Sequence, residues 1–214
     1  MRSKLIPSRL SARSNQNKDE IDSVLQECLF CTVSCAHESK AFAIPTGFCL
    51  YQDKLIIHGS IKSHFLEQVL KSEEVCITAF IFDGLVLAAS AFHHSVNYRA
   101  VVLFSKPEEI TNPKDKYDIL KAYTEKYVPG RWDSLRAIND GELKATRVLS
   151  FDLSMASIKL RNGPPSYEAA DANLGIWTGV IPSFTQWGQA IQDPNIDPTI
   201  PIPEHVNLII NGDI

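Results

Sequence analysis

The chain has 214 residues, 44% hydrophobic, 9% aromatic and 21% charged, a composition that fills a globular core and excludes disordered, fibrous and collagen-like chains. Its longest apolar run, Leu85 to Phe92, is broken by a serine and falls far short of the ~20 residues that a membrane helix needs, so no membrane role is expected. The formal net charge of −4 is uneven: residues 162–214 contain six acids and no Lys or Arg, leaving +2 on the remainder. Without clustered cations there is no footprint for nucleic acid.

The first 16 residues carry Arg2, Lys4, Arg9 and Arg13 with four serines and no acid. This reads as a basic arm, with a faint likeness to an organelle transit peptide. Asn17 followed by Glu20 caps a short helix whose apolar residues Ile21, Val24, Leu25 and Cys28 recur at helical spacing. Phe30 to Ala36 and Ala41 to Tyr51 read as strands joined through His37-Glu38-Ser39-Lys40. Gln52-Asp53 turns the chain into a strand from Lys54 to His58, and Ser60 is expected to open an amphipathic helix through Phe65 and Val69. Val75 to Phe82 is apolar on both faces, and Asp83-Gly84 predicts a tight hairpin into Leu85 to Phe92. After the polar run His93-His94-Ser95 comes a strand from Tyr98 to Phe104. Asn112-Pro113 starts a helix that Pro129-Gly130 ends, and a long strand region runs from Thr146 to Leu160. Seven of the twelve prolines follow, with Trp177 and Trp187, so the end of the chain should be irregular and laid over the body. Three segments result: an arm and short helix over 1–28, a barrel domain over 29–161, and a Pro-rich acidic extension over 162–214. Strands joined directly, with few helices between them, point to a mainly β, α+β fold built on an antiparallel barrel rather than a parallel doubly wound sheet.

Five cysteines, an odd number, without a signal-peptide pattern suit a reducing, cytoplasmic setting. Cys28, Cys31 and Cys35 suggest a metal or cluster, but Cys31 and Cys35 share one strand face about 13 Å apart, so core packing is the expectation. His58, His64, His93 and His94 show no H-x-x-x-H or H-E-x-x-H spacing, and adjacent His93 and His94 point to opposite faces of a regular strand, so no metal site is assigned. Nucleophile elbow, P-loop and dinucleotide fingerprint are also missing. Two segments do carry chemistry. In His58-Gly59-Ser60-Ile61-Lys62-Ser63-His64 a strand runs into a helix start, where free amides and the macrodipole favour an anion. Ser60 and Ser63 add hydroxyls there, and Lys62 and His64 add positive charge. Ser90 to Arg99 is a dense polar run ahead of an apolar strand, suited to lining a site.

Taken in order, Ala43-Ile44-Pro45-Thr46, Leu55 to Ser60, Asp83 to Ala88, Ser90 to Arg99, Val128-Pro129-Gly130-Arg131-Trp132 and Ala156 to Pro165 resemble the pyridoxamine 5′-phosphate oxidase-like family of FMN-binding split barrels. The likeness is to its flavin-nucleotide-binding, nitroimidazole-resistance-related branch and spans about residues 5–190. It implies an antiparallel split β-barrel and a homodimer with FMN at the subunit interface. By carry-over, Pro45 and Thr46 lie along the flavin ring, and His58, Gly59, Ser60, Lys62, Ser63 and His64 surround the phosphate. Ser95, Asn97, Tyr98 and Arg99 line the site or reach it from the partner chain. Relatives are expected to read L-A-R-S and N-Y-R-S where this chain has Ala89 and Ala100, so an arginine and a serine near the site are replaced. Oxidases of pyridoxamine phosphate carry a basic C-terminal segment that residues 162–214 lack, so vitamin B6 oxidation is not expected. The implied function is a flavin-dependent oxidoreductase acting on a small molecule, with His93, His94 and Tyr98 as proton donors. The alternative is a non-catalytic flavin or haem binder, a carrier or sensor on the same barrel.

Overall fold

The computed structural model describes residues 13–37 and 40–212; most of the basic arm, and the Glu38-Ser39 link, lie outside them. A seven-stranded antiparallel sheet is ordered β1 (Ser14–Asn15), β10 (Ala156–Arg161), β7 (Ser95–Ser105), β6 (Val75–Leu87), β2 (Phe30–His37), β3 (Lys40–Gly47), with β11 (Gly179–Pro182) also on β6. A four-stranded sheet runs β4 (Cys49–Tyr51), β5 (Lys54–Ser60), β9 (Thr146–Asp152), β8 (Glu108–Ile110). The helices are α1 (Lys18–Glu27), α2 (His64–Lys71), α3 (Pro113–Tyr127), α4 (Asp140–Ala145) and α5 (Glu204–Asn211).

The core forms where alternating strand residues of the two sheets meet. Cys31, Val33 and Cys35 of β2, Leu55 and Ile57 of β5, Ile77 and Ala79 of β6, Val101 and Leu103 of β7, and Leu149 and Phe151 of β9 bury together, with Ile21, Val24 and Leu25 of α1 above them. The cysteines therefore pack as small apolar groups. Burial pushes the Cys31 thiol up to about 12, which keeps it protonated and inert. The opposite faces of β5 and β9 bury Ile56 and Val148 against Ile119 of α3. From α3, Lys126 donates to the carbonyls of Leu25 and Cys28 at 3.0 and 2.7 Å, and its ammonium lies 3.4 Å from the Phe48 ring centroid. The Tyr127 hydroxyl donates to the Leu29 carbonyl and accepts from the Phe48 amide. These two side chains satisfy carbonyls at and just after the end of α1, which otherwise lack partners.

Asn17 caps α1 through the amides of Asp19 and Glu20, and Asn112 with Pro113 starts α3, both as the sequence indicates. Three expectations change. Asp83-Gly84 is not a hairpin: β6 runs unbroken through it, paired with β7 on both sides of a bulge between Phe82 and Gly84. A hairpin of that type needs positive φ at both central residues, and only Gly84 has it, at 151°. A Cβ on Gly84 would stand 2.5 Å from the Ile181 carbonyl oxygen, so the glycine admits β11. The chain reverses instead through Ala88–His94, which contains a short 3-10 turn at Ala91–His93. Second, α2 begins at His64 with Ser63 as its cap, not at Ser60. Third, Thr146–Leu160 divides at a 3-10 turn, Leu153–Met155, and its halves join different sheets.

The extension after Arg161 adds β11 alongside Gly84–Leu87, continuing the edge of β6 that β2 uses over Cys76–Ala79. It then leaves Phe184 85% and Ile191 96% exposed before α5. Among the described residues no helix is long and apolar enough to cross a membrane.

Candidate functional site

Strand parity decides what each residue near α2 faces. His58 shares a face with Ile56 and turns toward α3, where its ring meets Tyr123 edge-on at 4.3 Å. Its Nδ1 is buried without a hydrogen-bond partner, and burial holds its pKa below the usual imidazole range, so the neutral form dominates. Gly59 faces the other way. A Cβ there would stand 2.9 Å from Leu66 Cδ1, so its space is used for packing α2 on the strand.

Beyond Gly59 the chain passes from strand to helix through a cluster of polar side chains. Ser60 Oγ accepts from the Lys62 amide, and the Ser63 hydroxyl accepts from the Leu66 amide. The Ile61 amide goes to the Ala145 carbonyl and the Ser63 and Glu67 amides to Ser60 and Ser63 carbonyls. This leaves the His64 and Phe65 amides, at the first turn of α2, with no acceptor among the described residues. Lys62 and His64 are exposed, and neither has an ion-pair partner among the described residues. Arg147 of β9 stands in register with Gly59 and is largely buried, its Nε donating to Glu109 at 3.1 Å. It is a second cation at this corner that local sequence could not reveal, because the β5–β9 pairing joins positions nearly ninety residues apart.

The other carried-over residues lie elsewhere on the large sheet. Pro45 is opposite Thr32 and exposed on β3, and Thr46 is opposite Cys31 and half-buried. Ser95, Asn97, Tyr98 and Arg99 lie at the start of β7, three strands away, which is about 14 Å at ordinary strand spacing. Within one chain the structure therefore does not bring the two groups onto one ring. Tyr98 is in register with Phe82 and Arg161. Asn97 is buried and bonded to Arg161 and the Gly163 carbonyl. Arg99 is engaged by two carboxylates: its Nε and Nη2 donate to Asp83 at 3.0 and 2.7 Å, and its Nη2 and Nη1 reach Glu27. Ala100 falls between Phe80 and Lys159.

His93 Nε2 lies 3.6 Å from the Glu168 carboxylate. His94 is exposed, with Nδ1 2.8 Å from the Ser90 carbonyl, an arrangement that leaves Nε2 open. No group of three or more metal-ligating side chains occurs among the described residues. A cleft of about 840 Å³ lies between the sheet and the extension, and aromatic side chains Phe30, Phe80, Phe82, Phe184 and Trp187 contribute to its walls.

Two antiparallel sheets decorated by helices are the architecture of the split-barrel fold found in flavin-binding proteins. Residues 17–160, more than half of the chain, match the family model described as pyridoxamine 5′-phosphate oxidase, and the chain belongs to that family. Among solved structures it is similar to the flavocytochrome Anf3 from Azotobacter vinelandii, at 29% identity over 96% of both chains with a TM-score of 0.90. It is similar also to the FAD and heme binding protein from Mycobacterium smegmatis, at 31% identity over 92% of this chain and 97% of that one, TM-score 0.88. A Bacteroides thetaiotaomicron protein assigned to 5-nitroimidazole antibiotic resistance shares the fold at 19% identity over 68% of this chain and 85% of that one, TM-score 0.58. A search of curated proteins gives no match.

Proposed function

We propose that this chain is a flavin-binding protein, with FMN the flavin, that acts as an oxidoreductase on a small molecule in a homodimeric, cytoplasmic form. The observation that carries this reading is the pair of amides at His64 and Phe65 and the ammonium of Lys62, none of which has a partner among the described residues, beside the hydroxyls of Ser60 and Ser63. A phosphate dianion supplies acceptors for all of these donors, and the macrodipole of α2 adds to their attraction. Bound flavin would supply hydride transfer at N5. The protein's part is to hold the phosphate, to position the ring and to move a proton, for which His93, His94 and Tyr98 are the donors. His94 is oriented by the Ser90 carbonyl. Pro45, Thr46 and the Ser95, Asn97 and Tyr98 side chains meet a single ring only if one group comes from a second subunit, which supports an interfacial site, while Arg99 is taken up by Asp83 and Glu27. The cation-free segment 162–214 speaks against pyridoxamine phosphate as substrate.

The test is titration with FMN and with riboflavin, which differ by the phosphate. FMN should bind at least tenfold more tightly, and Lys62→Ala should remove most of that difference while leaving riboflavin unchanged, since a charge-assisted hydrogen bond contributes about 1.5–3 kcal/mol. Equal affinities would refute the corner as the phosphate site.

A second reading, a non-catalytic binder that also takes haem, is favoured by nearly full-length likeness to two proteins named for haem content. An axial ligand needs an accessible imidazole nitrogen. His94 through Nε2 and His64 at the tip of α2 offer one. Haem titration of His94→Ala and His64→Ala distinguishes them by loss of the Soret band, and a protein that binds no haem removes this reading.

A further inference from the structure

Arg161, the last residue of β10, is only 9% exposed, yet no carboxylate pairs with it among the described residues. Its guanidinium is held by neutral acceptors: Nη1 donates to Asn97 Oδ1 and to the Gly163 carbonyl, and Nη2 donates to the Pro164 carbonyl at 3.0 Å. Of its five N–H groups, Nε–H and one Nη2–H have no acceptor among the described residues. Buried cations are ordinarily neutralised by a carboxylate. Here the nearby charge has the same sign. The register Ser14↔Lys159 brings Arg13 alongside the end of β10, and its positive charge, after burial, lowers the Arg161 pKa.

Arg161 also opens on a cavity of about 490 Å³ between β7, the end of β10 and β11, with Asn97, Arg99, Asn162 and Asp83 on its walls. Asp83 is the carboxylate on that wall, and both its oxygens are taken by Arg99, so it does not neutralise Arg161. A fixed guanidinium with unused donors and an adjoining space together form a built site for an anion.

We propose that this cavity binds a carboxylate or phosphate group, with Arg161 as the bidentate donor and Arg13, which stands outside the cavity wall, adding positive charge through space. The Asn97 side chain and the Gly163 and Pro164 carbonyls act as positioning groups, fixing the guanidinium so that little side-chain entropy is lost on binding. This site is separate from the corner at α2, and its failure would leave the flavin reading standing.

The test uses the full chain. Its melting temperature is followed with sodium phosphate, and separately sodium acetate, against sodium chloride at equal ionic strength. Phosphate well above its dissociation constant should raise the midpoint by about 2–4 °C over chloride. Arg161→Gln should abolish that response, and Arg13→Gln, which removes only a through-space charge, should weaken phosphate binding about two- to threefold. Because Arg161 also holds the 163–164 carbonyls, Arg13→Gln carries the test if Arg161→Gln fails to fold. Repeating the titration on FMN-saturated protein identifies the source of the anion. A retained response marks a site for a free anion, as proposed, and a response lost on loading would place the cofactor's own phosphate here and overturn the proposal of a separate site. A phosphate effect no larger than that of chloride, or one unchanged in Arg13→Gln and Arg161→Gln, would overturn the proposal.

Discussion

Replacing Arg99 by methionine separates a structural arginine from a ligand-binding one. In the folded chain its guanidinium joins the bulge of β6, at Asp83, to the last residue of α1, Glu27, through four hydrogen bonds. Both carboxylates and the arginine are partly exposed, at 30%, 52% and 32% for the side chains of Asp83, Glu27 and Arg99. Solvent therefore screens the charges, and each exposed pair contributes about 0–1 kcal/mol. The two-point contact to Asp83 adds geometric fit and raises its share to about 1–2 kcal/mol. The substitution should then cost about 2 kcal/mol. At ~2–4 °C per kcal/mol for a chain of this size, the melting temperature should fall by about 4–8 °C. The assay is urea unfolding of wild type, Arg99→Met, Asp83→Asn and the double variant. A coupling of about 1 kcal/mol is expected for contacting residues, with flavin affinity measured on each folded variant and changing less than threefold. Full stability in Arg99→Met together with lost flavin binding would refute the reasoning and place Arg99 against the ligand.

Other consequences are equally direct. Gly84→Ala puts a methyl 2.5 Å from the Ile181 carbonyl at a backbone angle that side chains rarely adopt; it should destabilise by about 2 kcal/mol and open the segment after Arg161 to limited proteolysis, and an unchanged digestion pattern would count against β11 pairing. Burial lowers the Lys126 pKa to about 8, against an unfolded value near 10.4, so between these values the unfolded chain binds more protons and stability contributed by this residue rises with pH. Raised thiol pKa values at Cys28, Cys31 and Cys49 act in the opposite direction above about pH 8.5. The comparison is therefore wild type minus Lys126→Met from pH 7 to 8.5, where the difference should rise by roughly 1 kcal/mol, and a flat difference would show that the carbonyls of Leu25 and Cys28 hold the ammonium charged. Finally, Tyr98→Phe, His93→Gln and His94→Gln should each lower flavin-dependent turnover about tenfold or more if these groups move protons, and three fully active variants would remove that assignment.

Local signals in the sequence were read correctly where the deciding interaction is itself local. Asn17 and Asn112 cap the helices that follow because their side chains reach amides two and three residues on. The alternation of Cys31, Val33 and Cys35 identifies a buried strand face. Asp83-Gly84 misleads because its turn preference is overridden from far away, by Arg99 on the Asp83 carboxylate and by β11 against Gly84. The same holds for the sites. The Ser60–His64 segment stands out as a candidate in sequence because strand end, hydroxyls and cation are contiguous, although the cap is Ser63 and not Ser60. Arg147 beside Gly59, the acids on Arg99 and the uncompensated charge of Arg161 arise from strand register and could not be seen in any local pattern.

The most direct measurement is the absorption spectrum of the purified full chain, before and after acid release of any chromophore and after addition of FMN. The account predicts flavin bands, quenched flavin fluorescence on binding, and recovery of a phosphorylated flavin in the released fraction. A colourless protein that takes up neither FMN nor FAD at micromolar concentration would contradict it.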